Sequence, residues 1–185
     1  MIKNKLNIKD IGDVDFVIGI KFEKCNDGFI LHQKRYINDI LNKFITEEDK
    51  PTKNLIPIDN EQLRNKSFNK TIYQSAIGNL LYLAICTRPD ILFAVNKASR
   101  KSKNPNVEEW ESVIKIFKYL KYTINYGLHF SKNNIIKIYM DADYAGDKVT
   151  RKSTSGFLIK IGDSPTSWFS KLQHCLNFHG WSRIL

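Results

Sequence analysis

The stretch "IYMDADYAGDKVTRKSTSGFLIKI", residues 138–161, sets two apolar runs on either side of a polar turn, with Asp141 and Asp143 closing the first run and Asp147 behind them. Side chains alternate across a strand, so Ile138, Met140 and Ala142 take one face and Tyr139, Asp141 and Asp143 the other. Acidic residues are disfavoured in strands, so two of them here need a reason. One reason is a divalent cation: Mg²⁺ takes hard oxygen ligands, usually one or two carboxylates completed by waters and phosphate oxygens. The other is a solvated exit from an edge strand into a turn, where short carboxylate pairs are common. The stretch alone leaves both open.

Outward from it, the period is two on both sides. "LHF", "IIKIYM", "GFLIKI" and "TSWFS" after Gly127 predict successive short strands. Before Gly127 the period is helical. Tyr36, Ile37, Ile40, Leu41 and Phe44 predict one amphipathic helix, and Tyr73, Ile77, Leu80, Leu81 and Ala84 a second. Pro89 suits the first turn of a third, with Thr87 as its expected cap, Asp90 near the positive end of the dipole, and Ile91, Leu92, Val95 and Ala98 inward. After the break "SKNPN", Trp110, Val113, Ile114, Phe117 and Leu120 predict a fourth. At the start of the chain, "DFVIGIKFE" from Asp15 reads as a strand that turns at "NDG" into "FIL". Residues 47–70 contain Pro51 and Pro57 and no sustained period, which predicts an extended connector. Hairpin, helices, then strands argue an α+β fold.

The chain has 185 residues, 42% hydrophobic and 12% aromatic, enough for a real core. Its formal charge of +10 favours polyanionic partners. Basic residues concentrate at Lys97, Arg100, Lys101, Lys103, Lys115, Lys118 and Lys121, with Tyr119 and Tyr122 among them. Phosphate neutralisation beside aromatics is what sequence-independent nucleic-acid binding requires; the solvated face of an amphipathic helix looks the same. Arg88 is placed either to contact phosphate or to pair with Asp90.

Cys25, Cys86 and Cys175 are far apart and odd in number, which fits a reduced intracellular setting, cytoplasmic or nuclear, rather than a disulfide framework. His174, Cys175 and His179 lack a fourth zinc ligand of suitable spacing. Neither a G-x-S-x-G elbow nor a P-loop is present. No run approaches the roughly 20 apolar residues of a membrane helix, and no signal peptide is expected.

Seven blocks in order carry a resemblance: "DIGDVDFVIGIKF" (10–22), "LHQKRYINDIL" (31–41), "YQSAIGNLLYLAICTRPDILFAV" (73–95), "WESVIKIFKYLKYTINYGLHF" (110–130), "YMDADYAGD" (139–147), "RKSTSGFLIKIG" (151–162) and "SWFSKLQ" (167–173). Together they resemble the Pol polyprotein of copia-type LTR retrotransposons, at the end of the reverse transcriptase and the start of its ribonuclease H. The resemblance implies the last palm strands in 1–30, a helical thumb and connection in 31–125, and a truncated ribonuclease H-like β-sheet in 126–185. It implies that Asp141 is a remnant of the first catalytic carboxylate, with Asp143 secondary, and that Mg²⁺ is the cofactor of the family. The implied partners are an RNA–DNA hybrid or other duplex, gripped through Arg88, Lys97, Arg100, Lys101 and Lys103, and the rest of a Pol polyprotein.

The chain departs from the family in two places. The "Y-x-D-D" hairpin of the polymerase is missing, and after "SWFSKLQ" the expected "ST-x-E-A-E-Y" is replaced by "HCLNFHGWSRIL". With suitable codons, a one-base shift turns "LNFHGWSRIL" into "STSTAGAEY", so a frameshift is expected to have truncated the frame. One carboxylate without partners cannot hold two metal ions in line, so the chain is expected to be inactive alone. The alternatives are a non-catalytic nucleic-acid-binding module and a ribonuclease completed by another polypeptide. Strands without covering helices are expected to expose an apolar face.

Overall fold

The structure, a computed structural model, describes residues 12, 15–55, 69–144, 146–147 and 150–173. The expected palm strands therefore enter from Asp15 onward, and the tail with His174, Cys175, His179 and the expected frameshift lies outside the described residues, as does part of the connector.

The first sheet comprises β1 (Phe16–Val17), β2 (Ile20–Cys25), β3 (Gly28–His32) and β4 (Leu128–Ser131), antiparallel in that order. Between β3 and β4 run α1 (Lys34–Phe44), α2 (Lys70–Cys86), a 3₁₀ turn at Pro89–Ile91, α3 (Leu92–Ser99) and α4 (Val107–Tyr122). A second antiparallel sheet follows, β5 (Ile136–Ala142), β6 (Thr154–Ile161) and β7 (Ser164–Leu172), as a meander. Helices and antiparallel sheets are segregated along the chain, as an α+β fold requires.

The core lies among the four helices. Ile37, Ile40 and Leu41 from α1, Tyr73, Ile77, Leu80 and Ala84 from α2, Leu92, Val95 and Ala98 from α3, and Val113, Phe117 and Leu120 from α4 are buried together. These are the residues whose 3.6-residue spacing predicts one apolar face per helix. On α4 the face is rotated slightly, with Ile116 buried and Ile114 only partly so. Asn106 starts α4 with a reciprocal capping box: its side chain accepts from the Glu109 N–H, while Glu109 Oε2 accepts from the Asn106 N–H at 2.7 Å.

Three expectations are corrected. "DFVIGIKFE" is not one strand, because Ile18 and Gly19 both adopt positive φ (49° and 75°) and form a two-residue turn between β1 and β2. Thr87 does not start the third helix. It ends α2, its N–H donating to Leu83 O and its hydroxyl to Gln33 Oε1. Residues 128–131, assigned with the C-terminal strands, instead complete the first sheet, with Leu31 opposite Leu128 and Phe29 opposite Phe130. Backbone pairing decides this, and periodicity is silent on which partner a strand takes.

Trp168 joins the second sheet to the helices. Its indole packs against the helical core and donates to Ala84 O at 2.9 Å. Ala84 is in the last turn of α2, where carbonyls lack intrahelical partners, so the tie satisfies an otherwise orphaned acceptor. Asn96 of α3 adds a second link, donating to Ser170 O at 2.7 Å.

Candidate functional site

Among the described residues strand β5 is an edge strand, exposed along almost its whole length. Asp141 sits at its penultimate position, opposite Gly156 of β6, which in turn faces Ser170 of β7. Neither neighbour has a bulky side chain, so the Asp141 carboxylate stands over an open part of the sheet. It accepts from the Ala142 N–H at 2.8 Å and is exposed to solvent. Together with Phe93, Tyr139, Asp143, Gly156 and Ser170 it lines an open groove beside α3.

Asp143 and Asp147 are used differently. Asp143 accepts from the Thr154 N–H through Oδ1, and its own N–H donates to Thr154 O at 3.1 Å, so it extends the pairing of β5 with β6. A Cβ at residue 146 would collide with the same carboxylate, which explains Gly146. Asp147 accepts from the Thr150 N–H at 2.8 Å and lies 3.5 Å from Arg100 Nη1. These two acids build the turn, and Asp141 is left as the carboxylate presented to solvent. Among the described residues, no group of three potential ligands forms around it.

The five basic residues separate into distinct environments. Arg88 is buried, and of its two readings the structure shows the internal one. Its Nε and Nη2 donate to Asp90 at 3.0 and 2.7 Å, and Nη1 donates to Thr123 O at 3.1 Å. The rings of Tyr119 and Tyr126 lie 5.7 and 5.6 Å from the guanidinium carbon. A cation at the last carbonyls of α4 also complements the helix dipole. Of the five basic residues, Arg88 is thus the one whose guanidinium is enclosed by a carboxylate, a helix end and two rings. Tyr119 donates to Asp90 Oδ2 at 3.0 Å, and burial, with Asp90 beside it, pushes its phenol up to about 12.

Arg100 reaches across to the second sheet, where it meets Asp147 and donates to Thr154 Oγ1 at 3.2 Å. It is thus partly committed to holding β6 against α3. Lys97, Lys101 and Lys103 are exposed; Lys101 has a long 3.9 Å pairing with Glu109. Lys97 and Lys101 border a cleft of roughly 350 Å³ between α3 and α4, which also includes Phe93, Ala94 and Ser112.

Exposed aromatics complete the surface. Phe93 is 52% and Tyr139 53% exposed, both on the groove that holds Asp141. Neither stands out by spacing alone. The available signal for Phe93 is an aromatic on the outward side of a helix whose inward residues are Ile91, Leu92, Val95 and Ala98. In the alternate rows of the sheet, Ile138 and Met140 of β5 pair with Ile159 and Phe157 of β6, and Phe157 stacks on Phe169 of β7 at 5.5 Å, with Met140, Phe157 and Phe169 also bordering the groove. Ile136, Ile138 and Met140 remain 60–66% exposed, so these apolar side chains are uncovered by the described residues. Among those residues no helix is long and apolar enough to cross a membrane.

No family model matches the chain, and no solved structure matches it. Known proteins do. The chain is 36% identical over 189 residues to a retrovirus-related Pol polyprotein from transposon TNT 1-94 of Nicotiana tabacum, an alignment covering 95% of this chain and 14% of that protein. It is 35% identical over 177 residues to a retrovirus-related Pol polyprotein from transposon RE1 of Arabidopsis thaliana, covering 93% and 12%. An uncharacterised mitochondrial protein of Arabidopsis thaliana is 31% identical over 176 residues, with 93% of this chain and 73% of that protein aligned. The chain thus spans about one seventh to one eighth of the length of the two polyproteins. With the sequence blocks of the Pol polyprotein followed in order from the first sheet to β7, the chain belongs to the copia-type retrotransposon Pol polyprotein family.

Proposed function

We propose that the chain is the thumb and connection of a reverse transcriptase together with the first strands of its ribonuclease H, and that it holds an RNA–DNA hybrid along the α3 surface without cleaving it. The observation that carries this reading is the placement of Asp141 in an open groove with Phe93 and Tyr139, next to the helix that bears Lys97 and is followed by Arg100. Lysines supply the phosphate attraction, exposed rings supply faces on which bases or sugars stack, and a carboxylate at a strand end is where Mg²⁺ would meet a scissile phosphate in the family. Asp141 and, more weakly, Asp143 are the groups that would contact that ion. Two-metal hydrolysis needs several carboxylates around one point, and among the described residues Asp141 has no such group.

Fluorescence anisotropy of a labelled hybrid against salt concentration tests the reading. Changing Lys97, Lys101 and Lys103 together to alanine should weaken binding and flatten the log affinity–log salt slope by about 0.9 for each phosphate no longer neutralised. Absent or salt-independent binding by the native chain rejects it.

The exposed apolar residues Ile136 and Ile138, outside the groove, support a second element of the same reading, docking of the rest of a Pol polyprotein. Ile138→Lys should abolish capture of a separately expressed downstream Pol segment while leaving hybrid affinity unchanged. Capture that survives the substitution removes this element and leaves the first intact.

A further inference from the structure

The end of β2, the turn after it and the middle of β4 bring together three side chains that the hybrid-binding surface does not use. Cys25 Sγ lies 3.5 Å from Asp27 Oδ1 and 3.5 Å from His129 Nε2, and His129 Nε2 lies 3.0 Å from Asp27 Oδ1. Cys25 and His129 are half-buried, and Asp27 is exposed. The convergence follows from the sheet. Cys25 pairs with Gly28, which pairs with Ser131, so no side chain stands between Cys25 and β4. His129, opposite Ile30, reaches diagonally over that gap, and the "NDG" turn folds Asp27 back to meet it.

We propose that Cys25, Asp27 and His129 form a binding site for a thiophilic divalent transition metal of the zinc type, with the fourth position open. Thiolate, imidazole and carboxylate are the three donor types Zn²⁺ accepts, at about 2.3 Å for sulfur, 2.0–2.1 Å for nitrogen and 2.0–2.2 Å for oxygen. Around a tetrahedral ion those lengths separate sulfur from nitrogen or oxygen by about 3.6 Å, and nitrogen from oxygen by about 3.4 Å. The three separations here already approach those edges, so an ion could enter with shifts of a few tenths of an ångström. A His–Asp hydrogen bond by itself would account for one edge of this triangle but not for the thiol placed at 3.5 Å from both other atoms. Magnesium is excluded as the favoured ion by the sulfur donor. This site is separate from the Asp141 groove and stands or falls independently of the hybrid-binding reading.

The expected consequence is a clip between residues 102 and 104 positions apart in sequence, fastening β4 to the first hairpin. A ligand that binds only the folded chain raises its stability in proportion to the logarithm of its concentration.

Titration of the purified full chain with Co²⁺ under reducing conditions tests the site directly, because a cobalt–thiolate bond gives a near-ultraviolet charge-transfer band and tetrahedral cobalt gives intense visible bands. One equivalent should produce both, and Zn²⁺ should displace it. Cys25→Ser should remove the charge-transfer band, and His129→Ala should weaken binding at least tenfold. A chain with Cys86→Ser, or with His174→Ala, Cys175→Ser and His179→Ala, should keep the full spectrum. Because Cys25 and His129 are half-buried, Asp27→Asn, at an exposed turn, provides the second readout: it should suppress the rise in melting temperature that Zn²⁺ gives the native chain. A native chain that gives no cobalt–thiolate band overturns the proposal, as does a band that persists in Cys25→Ser or is lost with the residue 174–179 variant, or a Zn²⁺-induced rise undiminished in Asp27→Asn.

Discussion

Arg88 Nη2 lies 2.7 Å from Asp90 Oδ2 with its side chain only 1% exposed, so the two residues that bracket Pro89 form an internal ion pair rather than an outward-facing basic site. The same guanidinium reaches Thr123 at the end of α4, which makes the pair a clamp between the α2–α3 junction and the last helix.

Asp90→Asn should therefore destabilise the fold by about 3 kcal/mol, since it leaves a buried cation with only neutral partners. Urea denaturation followed by circular dichroism measures this. The substitution should leave the salt dependence of hybrid binding unchanged; a flatter slope would return Arg88 to the phosphate-binding set.

Asp141 is the carboxylate open to solvent on β5, yet the described residues gather no ligand group around it. The native chain and Asp141→Asn should therefore be equally unable to cleave a labelled hybrid in Mg²⁺, as read on a denaturing gel. Mg²⁺-dependent cleavage by the native chain that the substitution abolishes would show a working ribonuclease.

Ile18 occupies the left-handed region with φ 49°, where a β-branched side chain is strained, and it is 77% exposed, so little packing depends on it. Ile18→Asn should raise stability by about 1 kcal/mol, because asparagine tolerates this conformation in a two-residue hairpin turn. Tyr82 donates to the Ile18 carbonyl, a main-chain group the substitution retains. An unchanged or lower urea midpoint would argue that the hairpin has a different turn in solution.

Tyr73 is fully buried and donates to Ala98 O at 2.8 Å; burial, with a smaller contribution from Glu109, pushes its phenol well above the ordinary value of 10. Unfolded tyrosines ionise above pH about 10, whereas the folded Tyr73 holds its proton, so its contribution is complete below that pH and is lost as the pH rises further. Tyr73→Phe should lower stability by about 1 kcal/mol at neutral pH through loss of the hydrogen bond. Above pH 10 its stability should fall less steeply than that of the native chain, by up to about 1.4 kcal/mol per pH unit. Parallel alkaline limbs for the two proteins would refute the assignment.

Local pattern was sufficient for the helices and most strands. The apolar faces of α1 to α3 could be read from Ile37, Leu80 and Val95 because burying a stripe every 3.6 residues is a property of the helix itself, and the alternation around Asp141 was equally local. The sequence alone also carried the family resemblance, since ordered blocks survive without reference to geometry.

Which strand β4 joins, where "DFVIGIKFE" breaks, and that Arg88 pairs with Asp90 were shown only by the folded chain. Each depends on a partner distant in sequence or on one backbone angle, and hydrophobic period is blind to both. Cys25, Asp27 and His129 make the point most sharply. Cys25 and His129 are 104 positions apart, and they meet only because β3 carries a glycine between them and pairs with both of their strands.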